Sequence, residues 1–317
     1  MNTRHVRTTL AAGASALATA LLGACGAADT NISASDGIVT IAVPSWVGAE
    51  ANAAVAKHVL EKELDTRVKI IQMDEPVAWD ALGSGKVDAL LEDWGGVSKK
   101  EELYVEEKKT VVPGGDLGVV GHIGWFVPKY FADEHPDVTH WKNLNKYADE
   151  LRTTESDGKG QILEGSPSYT THDDAIIENL GLDLKTVYAG SEAAQITQIR
   201  KYVKEKKPFL TYWWTPQWLN AEVEMVEVEL PEYTEGCDAD PEKVACAYPE
   251  LPLQKYLNAD FAEKGGDAAE FIKRFRWSTE QQNQVAKWIA GDGMSSEAAA
   301  AKWVEENRDT WEKWLPK

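Results

Sequence analysis

Positive charge is what this sequence has least of for its size: 33 Lys and Arg stand against 52 Asp and Glu, a formal net charge of −19. Nucleic acids and anionic lipid surfaces are bound through basic patches, so neither is expected as a partner. Cysteine is scarce, with three in 317 residues, and the six histidines are scattered with none three or four residues from another. That spacing offers no zinc pattern, and no metal is expected. Phosphate-binding chemistry is missing too. Gly83-Ser84-Gly85-Lys86 has Asp80 three residues before it and Val87 after it, where a phosphate loop needs Gly and Ser or Thr. Gly165-Ser166-Pro167-Ser168-Tyr169 lacks the second glycine of a nucleophile elbow. The adjacent acids Glu92-Asp93 and Asp173-Asp174 could serve acid–base work, but in so acidic a chain they read as solvated or capping groups. No catalytic residue and no cofactor are assigned, and an enzyme, such as a hydrolase using paired carboxylates, is the weaker class of answer.

Tryptophan, by contrast, is abundant, with 13 in the chain. Residues 209–218, FLTYWWTPQW, place Phe209, Tyr212, Trp213, Trp214 and Trp218 within ten positions. Alternation predicts a buried strand over 209–213, which Thr215-Pro216 ends, leaving Trp214 at a strand's carboxyl end. Open α/β folds bind ligands there. An electron-rich indole face at such a place suits a permanently charged ammonium, which hydrogen-bonds to nothing.

Residues 1–24 read as an export signal: Arg4 and Arg7 precede a small apolar run from Leu10 to Leu22, too short for a permanent bilayer span. The ending Leu22-Gly23-Ala24-Cys25 resembles the lipobox of bacterial lipoproteins, in which the cysteine becomes the lipidated first residue. Residues 25–36 then form a small, polar tether. With Cys25 lipidated, Cys237 and Cys246 remain, and in an exported protein they are expected to form a disulfide.

Residues 37–43 and 67–71 read as strands flanking a helix over 49–64, the opening βαβ of a doubly wound sheet. A helix is expected to start at 79–82, and 87–91 to be a strand that ends beside Trp94. Pro113-Gly114-Gly115 predicts a break, and 121–127 another strand. Helices are expected over 141–151, 173–180 and 191–204. Late in the chain, Ser278 and Gln281 form a capping box for a helix over 279–290, and Trp303, Trp311 and Trp314 fall on the core face of a last helix.

VDALLEDWGG near residue 90, GSPSYTTHDDA near 170 and YWWTPQW near 215 together resemble the glycine betaine/proline betaine substrate-binding proteins of ABC importers, over about 37–317. The resemblance implies a type II periplasmic-binding-protein fold, two α/β lobes around a ligand cleft joined by two crossover segments. One lobe would take 37–127 and 236–317, the other 128–235. It further implies an ammonium cage of Trp94, Trp214 and Tyr169, the last standing where many members carry Trp; Trp46, at a third strand end, is a further candidate. A monomeric receptor, lipid-anchored through Cys25 outside the cytoplasm, would deliver its ligand to a permease and its ATPase.

Each cation–π contact contributes roughly 0.5–1 kcal/mol when exposed and about 2 or more when desolvated, so three contribute about 4–6. A micromolar complex needs about −8 kcal/mol after association costs, so a second subsite is required. Backbone N–H groups of Val47, Gly48 and Ala49 at a helix start are the candidates for a ligand carboxylate, helped by His172 or Gln217. Choline or carnitine are the alternative ligands, with Glu50, Asp93 or Asp173 as a cleft acid for choline. A sugar receptor would also stack on tryptophan, and in the blandest reading the aromatics only fill the core.

Overall fold

Apolar runs bounded by turn residues become nine strands in the computed structural model, which describes residues 37–317. In chain order they are β1 (Ile38–Val43), β2 (Arg67–Gln72), β3 (Ala89–Asp93), β4 (Val111–Pro128), β5 (Gly160–Glu164), β6 (Leu184–Tyr188), β7 (Leu210–Thr215), β8 (Met225–Glu227) and β9 (Leu251–Asn258). They form one mixed sheet in the order β2-β1-β3-β9-β4-β7-β5-β6, with β8 beside β4. β1 runs parallel to β2 and β3, as the predicted βαβ requires, and β5 runs parallel to β6 and β7. The two parallel sets are joined by antiparallel β9 and β4. The type II periplasmic-binding-protein class expected from the sequence is the class this topology fits.

β4 corrects one expectation. Pro113-Gly114-Gly115 does not break the strand; the ladder to β9 shifts register between Pro113 and Gly115 and again between Asp116 and Val120. Such bulges let a strand pass an awkward sequence without stopping. Up to Gly121 the partner is β9, and from His122 to Phe126 it is β7.

The helices mostly follow the sequence. Val47–Glu63 starts two residues early, after an extended Trp46. Asp173–Asn179 and Glu192–Glu205 match, the latter capped by Ser191, whose Oγ accepts from Ala194 N–H. The helix expected near Trp79 is Glu75–Gly83, with Pro76 in its first turn. Residues Trp141–Tyr147 are a 3-10 helix rather than an α-helix. Asparagine side chains there compete for backbone groups: Asn143 donates to Asp137 O, and Asn145 bonds both Gly181 O and Asp183 N–H.

Ser278 and Gln281 form the expected capping box for Thr279–Ala286. Trp303, Trp311 and Trp314 are core residues, Trp303 stacking on Trp314 at 5.7 Å. Cys237 and Cys246 form the expected disulfide. The signal, Cys25 and the tether lie outside the described residues. Among the described residues no helix is long and apolar enough to cross a membrane, and no His, Cys, Asp and Glu cluster could hold a metal ion.

Candidate functional site

Four strands, β1 and β3 of one parallel set and β5 and β7 of the other, deliver aromatic side chains to one place. Trp46 follows β1, Trp94 follows β3 directly, Tyr169 follows β5, and Trp214 is the next-to-last residue of β7. Period-two alternation on β7 puts Tyr212 beside Trp214, while Trp213 points away and donates its indole N–H to Asn220 Oδ1 at 2.6 Å. Trp46, Trp94, Tyr169, Tyr212 and Trp214 line one cavity of about 40 Å³ with Glu75, Gly96, Ile123 and Thr170. Tyr169 stands edge-on to Trp46 at 6.0 Å and perpendicular to Trp214 at 5.9 Å, and Tyr212 lies 6.0 Å from Trp214. Ile123 on β4 pairs directly with Trp214 and closes the back wall. A larger groove of about 700 Å³ beside residues 150–155 and Lys201 contains none of the candidate residues.

Two glycines make the ring positions possible. A Cβ on Gly121 would lie 2.6 Å from Trp94, and one on Gly165 would lie 2.7 Å from the Tyr169 ring. Both rings therefore lie flush against backbone.

A single carboxylate oxygen holds two of the indoles. Glu92 Oε1 accepts the N–H of Trp46 at 2.7 Å and that of Trp94 at 2.8 Å, while Oε2 accepts Gln282 Nε2 at 2.5 Å and Asn52 Nδ2. Burial pushes the Glu92 carboxyl above its ordinary range, and these four bonds offset part of that rise.

Glu92 is one of several acids that the sequence reading left in solvent and the structure buries. Asp93 Oδ1 accepts from Trp79 Nε1 at 2.8 Å and Oδ2 from Gly95 N–H at 3.0 Å. Beside it, burial and then the Asp93 charge push Glu75 well above the carboxylate range. Asp173 accepts from Trp125 Nε1 at 2.9 Å and Tyr248 OH at 2.6 Å. Burial lifts Asp173 to about 6, and burial with the Asp173 charge lifts its neighbour Glu164 to about 10. What opposes burial at Glu92, Asp93 and Asp173 is hydrogen bonding, so the surroundings of the cavity are acidic and aromatic.

At the expected carboxylate subsite, the Val47 N–H and the Gln217 amide meet one of the protein's own acids. Val47 N–H donates to Glu192 Oε2 at 2.8 Å, and Gln217 Nε2 donates to Glu192 Oε1 at 2.8 Å. Burial lifts Glu192 to about 7, against those two bonds. Gly48 and Ala49 do not line the cavity; the Cα of Gly48 faces Gln282 and Glu92. His172 stands apart, stacked on Tyr248 with its backbone N–H on the Tyr248 hydroxyl at 2.8 Å. The suggested cleft acids are also committed elsewhere: Glu50 accepts from Ser296 Oγ at 2.7 Å, and neither Asp93 nor Asp173 lines the cavity. The acid that does line it is Glu75, which sequence reasoning missed along with Tyr212, Thr170 and Gly96. Asp74-Glu75-Pro76, an acid pair before proline at a helix start, was the available signal for Glu75.

A two-part α/β sheet with a ring-lined cavity at the carboxyl ends of its strands defines a substrate-binding protein of the periplasmic-receptor class. Residues 37–306 match the model of the substrate-binding domain of ABC-type glycine betaine transport systems, and the chain belongs to that family. It is 29% identical over 284 residues to the trimethylamine N-oxide-binding protein of Pelagibacter ubique, covering 86% of this chain and 89% of that one. Lactococcal OpuAC in its closed form with glycine betaine has the same fold, with a TM-score of 0.71 at 20% identity over 89% of this chain and all of that one. An ABC-transporter choline-binding protein in complex with choline also superposes, with a TM-score of 0.71 at 20% identity over 88% of this chain and 92% of that one.

Proposed function

We propose that this chain is the extracytoplasmic receptor of an ABC importer and that its ring-lined cavity is a cage for a compact trimethylammonium compound. The observation that carries the reading is that Trp46, Trp94, Tyr169 and Trp214, from four separate strand ends, enclose one cavity in acidic surroundings. Indole and phenol faces attract a cation that cannot hydrogen-bond. Relatives named for trimethylamine N-oxide, glycine betaine and choline share that head group. A sugar would need several polar side chains per ring, and the cavity offers few.

The remaining parts of the proposal are a division into lobes of 37–127 with 236–317 and of 128–235, a lipid anchor at Cys25, a monomer, and a permease with its ATPase as partners. β4 changes partner from β9 to β7 between Gly121 and His122, which supports two strand sets but puts the first crossover inside β4, ahead of residue 127, and the Cys237–Cys246 disulfide supports an oxidising compartment. Ligand that touches both lobes selects the closed state, because only there does it gain both sets of contacts. The role is capture and delivery, without chemistry on the ligand.

Isothermal titration with glycine betaine, choline, trimethylamine N-oxide and a neutral sugar tests the cage. At least one ammonium compound binds and the sugar does not, and Trp214→Ala weakens binding by about tenfold or more, the loss of one desolvated cation–π contact. Unchanged affinity in a folded Trp214→Ala protein removes Trp214 from the site.

A further inference from the structure

Two helix starts meet beside the cavity, one from each parallel strand set. Val47 opens the helix that follows β1, and Glu192 opens the helix that follows β6. The Glu192 carboxyl, only 6% exposed, accepts the Val47 N–H on Oε2 at 2.8 Å. Its Oε1 is steadied by Gln217 Nε2, from just beyond β7, also at 2.8 Å. The donor is thus on the side of β1 and β3, and the acceptor, with the amide that orients it, on the side of β5 and β7. Two further approaches between these sides are bare packing: a Cβ on Gly96 would lie 2.9 Å from Thr170 Cβ, and one on Gly291 would lie 3.0 Å from the Trp218 ring. Packing of that kind has little directional preference, whereas a hydrogen bond fixes both distance and angle. Glu192 does not line the cavity, but Val47 directly follows Trp46, which does.

We infer that Glu192 is a positioning residue for capture: its bond to Val47 is a strut that holds the two sides together over the cage and sets ligand affinity and residence time without touching the ligand. This rests on the receptor reading above and adds to it an affinity determinant outside the rings. The Val47 N–H belongs to a helix's first turn and has no partner within the helix. With the two sides apart, water satisfies both that N–H and the Glu192 carboxyl; with them together, the N–H and Oε2 have each other. Removing one partner therefore penalises the closed form alone, and apparent affinity falls with the population of the form that binds. No ligand atom takes part in the bond, so the strut acts on the empty receptor as well.

Val47→Pro removes the donor and little else. Val47 is the first helical residue, where the fixed φ of proline fits and a missing N–H breaks no helix bond. Trp46 before it is extended (φ −124°, ψ 152°), the conformation that a residue preceding proline favours. The test is titration and stopped-flow binding of the purified protein with glycine betaine, choline and trimethylamine N-oxide, with calorimetric melting to show that each variant is folded. Val47→Pro should weaken whichever compound the wild type binds by about fivefold to tenfold, mainly through faster dissociation. Glu192→Ala should do at least as much, and Val47→Pro added to Glu192→Ala should cost nothing further, because the pair is already broken. Small-angle scattering without ligand should give either variant a larger radius of gyration than the wild type, a difference that vanishes at saturating ligand. Wild-type affinity in a folded Val47→Pro protein overturns the inference, and so do losses that multiply in the double variant. If the wild type binds none of the three compounds, the receptor reading falls separately and scattering decides the strut: equal radii for the wild type and Val47→Pro overturn it.

Discussion

Replacing Glu92 by alanine removes the one acceptor that fixes two walls of the cavity. Four donors lose their partner at once: the indole N–H groups of Trp46 and Trp94 and the side-chain amides of Asn52 and Gln282. A buried donor left without a partner costs about 1–3 kcal/mol, and water entering the vacated volume keeps each near the low end. The sum is about 4 kcal/mol, which at about 2–4 °C per kcal/mol for a domain of this size lowers the melting temperature by about 8–16 °C. Glu92→Gln should behave differently. It keeps an oxygen for both indoles, and because Asn52 Oδ1 and Gln282 Oε1 are buried without partners, turning both of those amides supplies an acceptor for each hydrogen of the new NH₂. Stability should then hold within about 1 kcal/mol, while the indole bonds fall from charge-assisted to neutral strength, about half. Looser rings weaken ammonium affinity about tenfold. Calorimetric melting and isothermal titration on the same two variants separate the effects, and a Glu92→Ala protein with unchanged melting and unchanged affinity would refute the role given to Glu92.

Trp303→Ala, in the Trp303–Trp314 stack away from the cavity, should cost about 3–5 kcal/mol of stability and leave ligand affinity alone; a titration of the folded variant checks the second half. Gly121→Ala places a methyl 2.6 Å from the Trp94 ring, so the ring must move, with about 1–3 kcal/mol of overpacking strain and weaker binding; wild-type affinity would show that Trp94 can shift freely. Glu192, lifted to about 7 by burial, holds a proton in the folded state that the unfolded chain has already lost near neutrality. Its contribution, up to about 3 kcal/mol, is fully present below the ordinary carboxylate range and fades as pH rises through 7. Melting temperature should therefore fall from pH 5 to pH 8, and Glu192→Gln should flatten that slope; an unaltered slope would assign the trend to other groups.

Much of the site was legible because aromatic rings at strand ends announce themselves. Trp46, Trp94, Tyr169 and Trp214 share one cavity as the sequence suggested, since a strand's carboxyl end can be placed from its apolar run and the turn residue that follows. The acids were not legible. Glu92 and Asp93 look solvated in a chain of net charge −19, but β3 is buried along its whole length, and a central strand buries whatever it carries on either face. Glu192 was missed for a related reason: an acid in the first turn of a helix is normally a surface group, and only the fold brings that helix against the start of Val47–Glu63. An acceptor does meet the Val47 N–H, but it is the protein's own acid, brought there by a contact between residues 145 positions apart. The strand break at Pro113-Gly114-Gly115 failed because β9 tolerates a bulge in its partner.

The placement of β9 has a consequence for how the chain acquires its structure. β3 and the first part of β4 both pair with β9, which comes from residues 251–258. Every partner that β5, β6 and β7 need is present once residue 215 has been made. Contacts so distant in sequence form slowly, because a long loop must close before any bond rewards it. A chain that has not yet produced β9 therefore holds a completed β5, β6 and β7 ladder next to two bare strand edges, the geometry that recruits strands from other molecules.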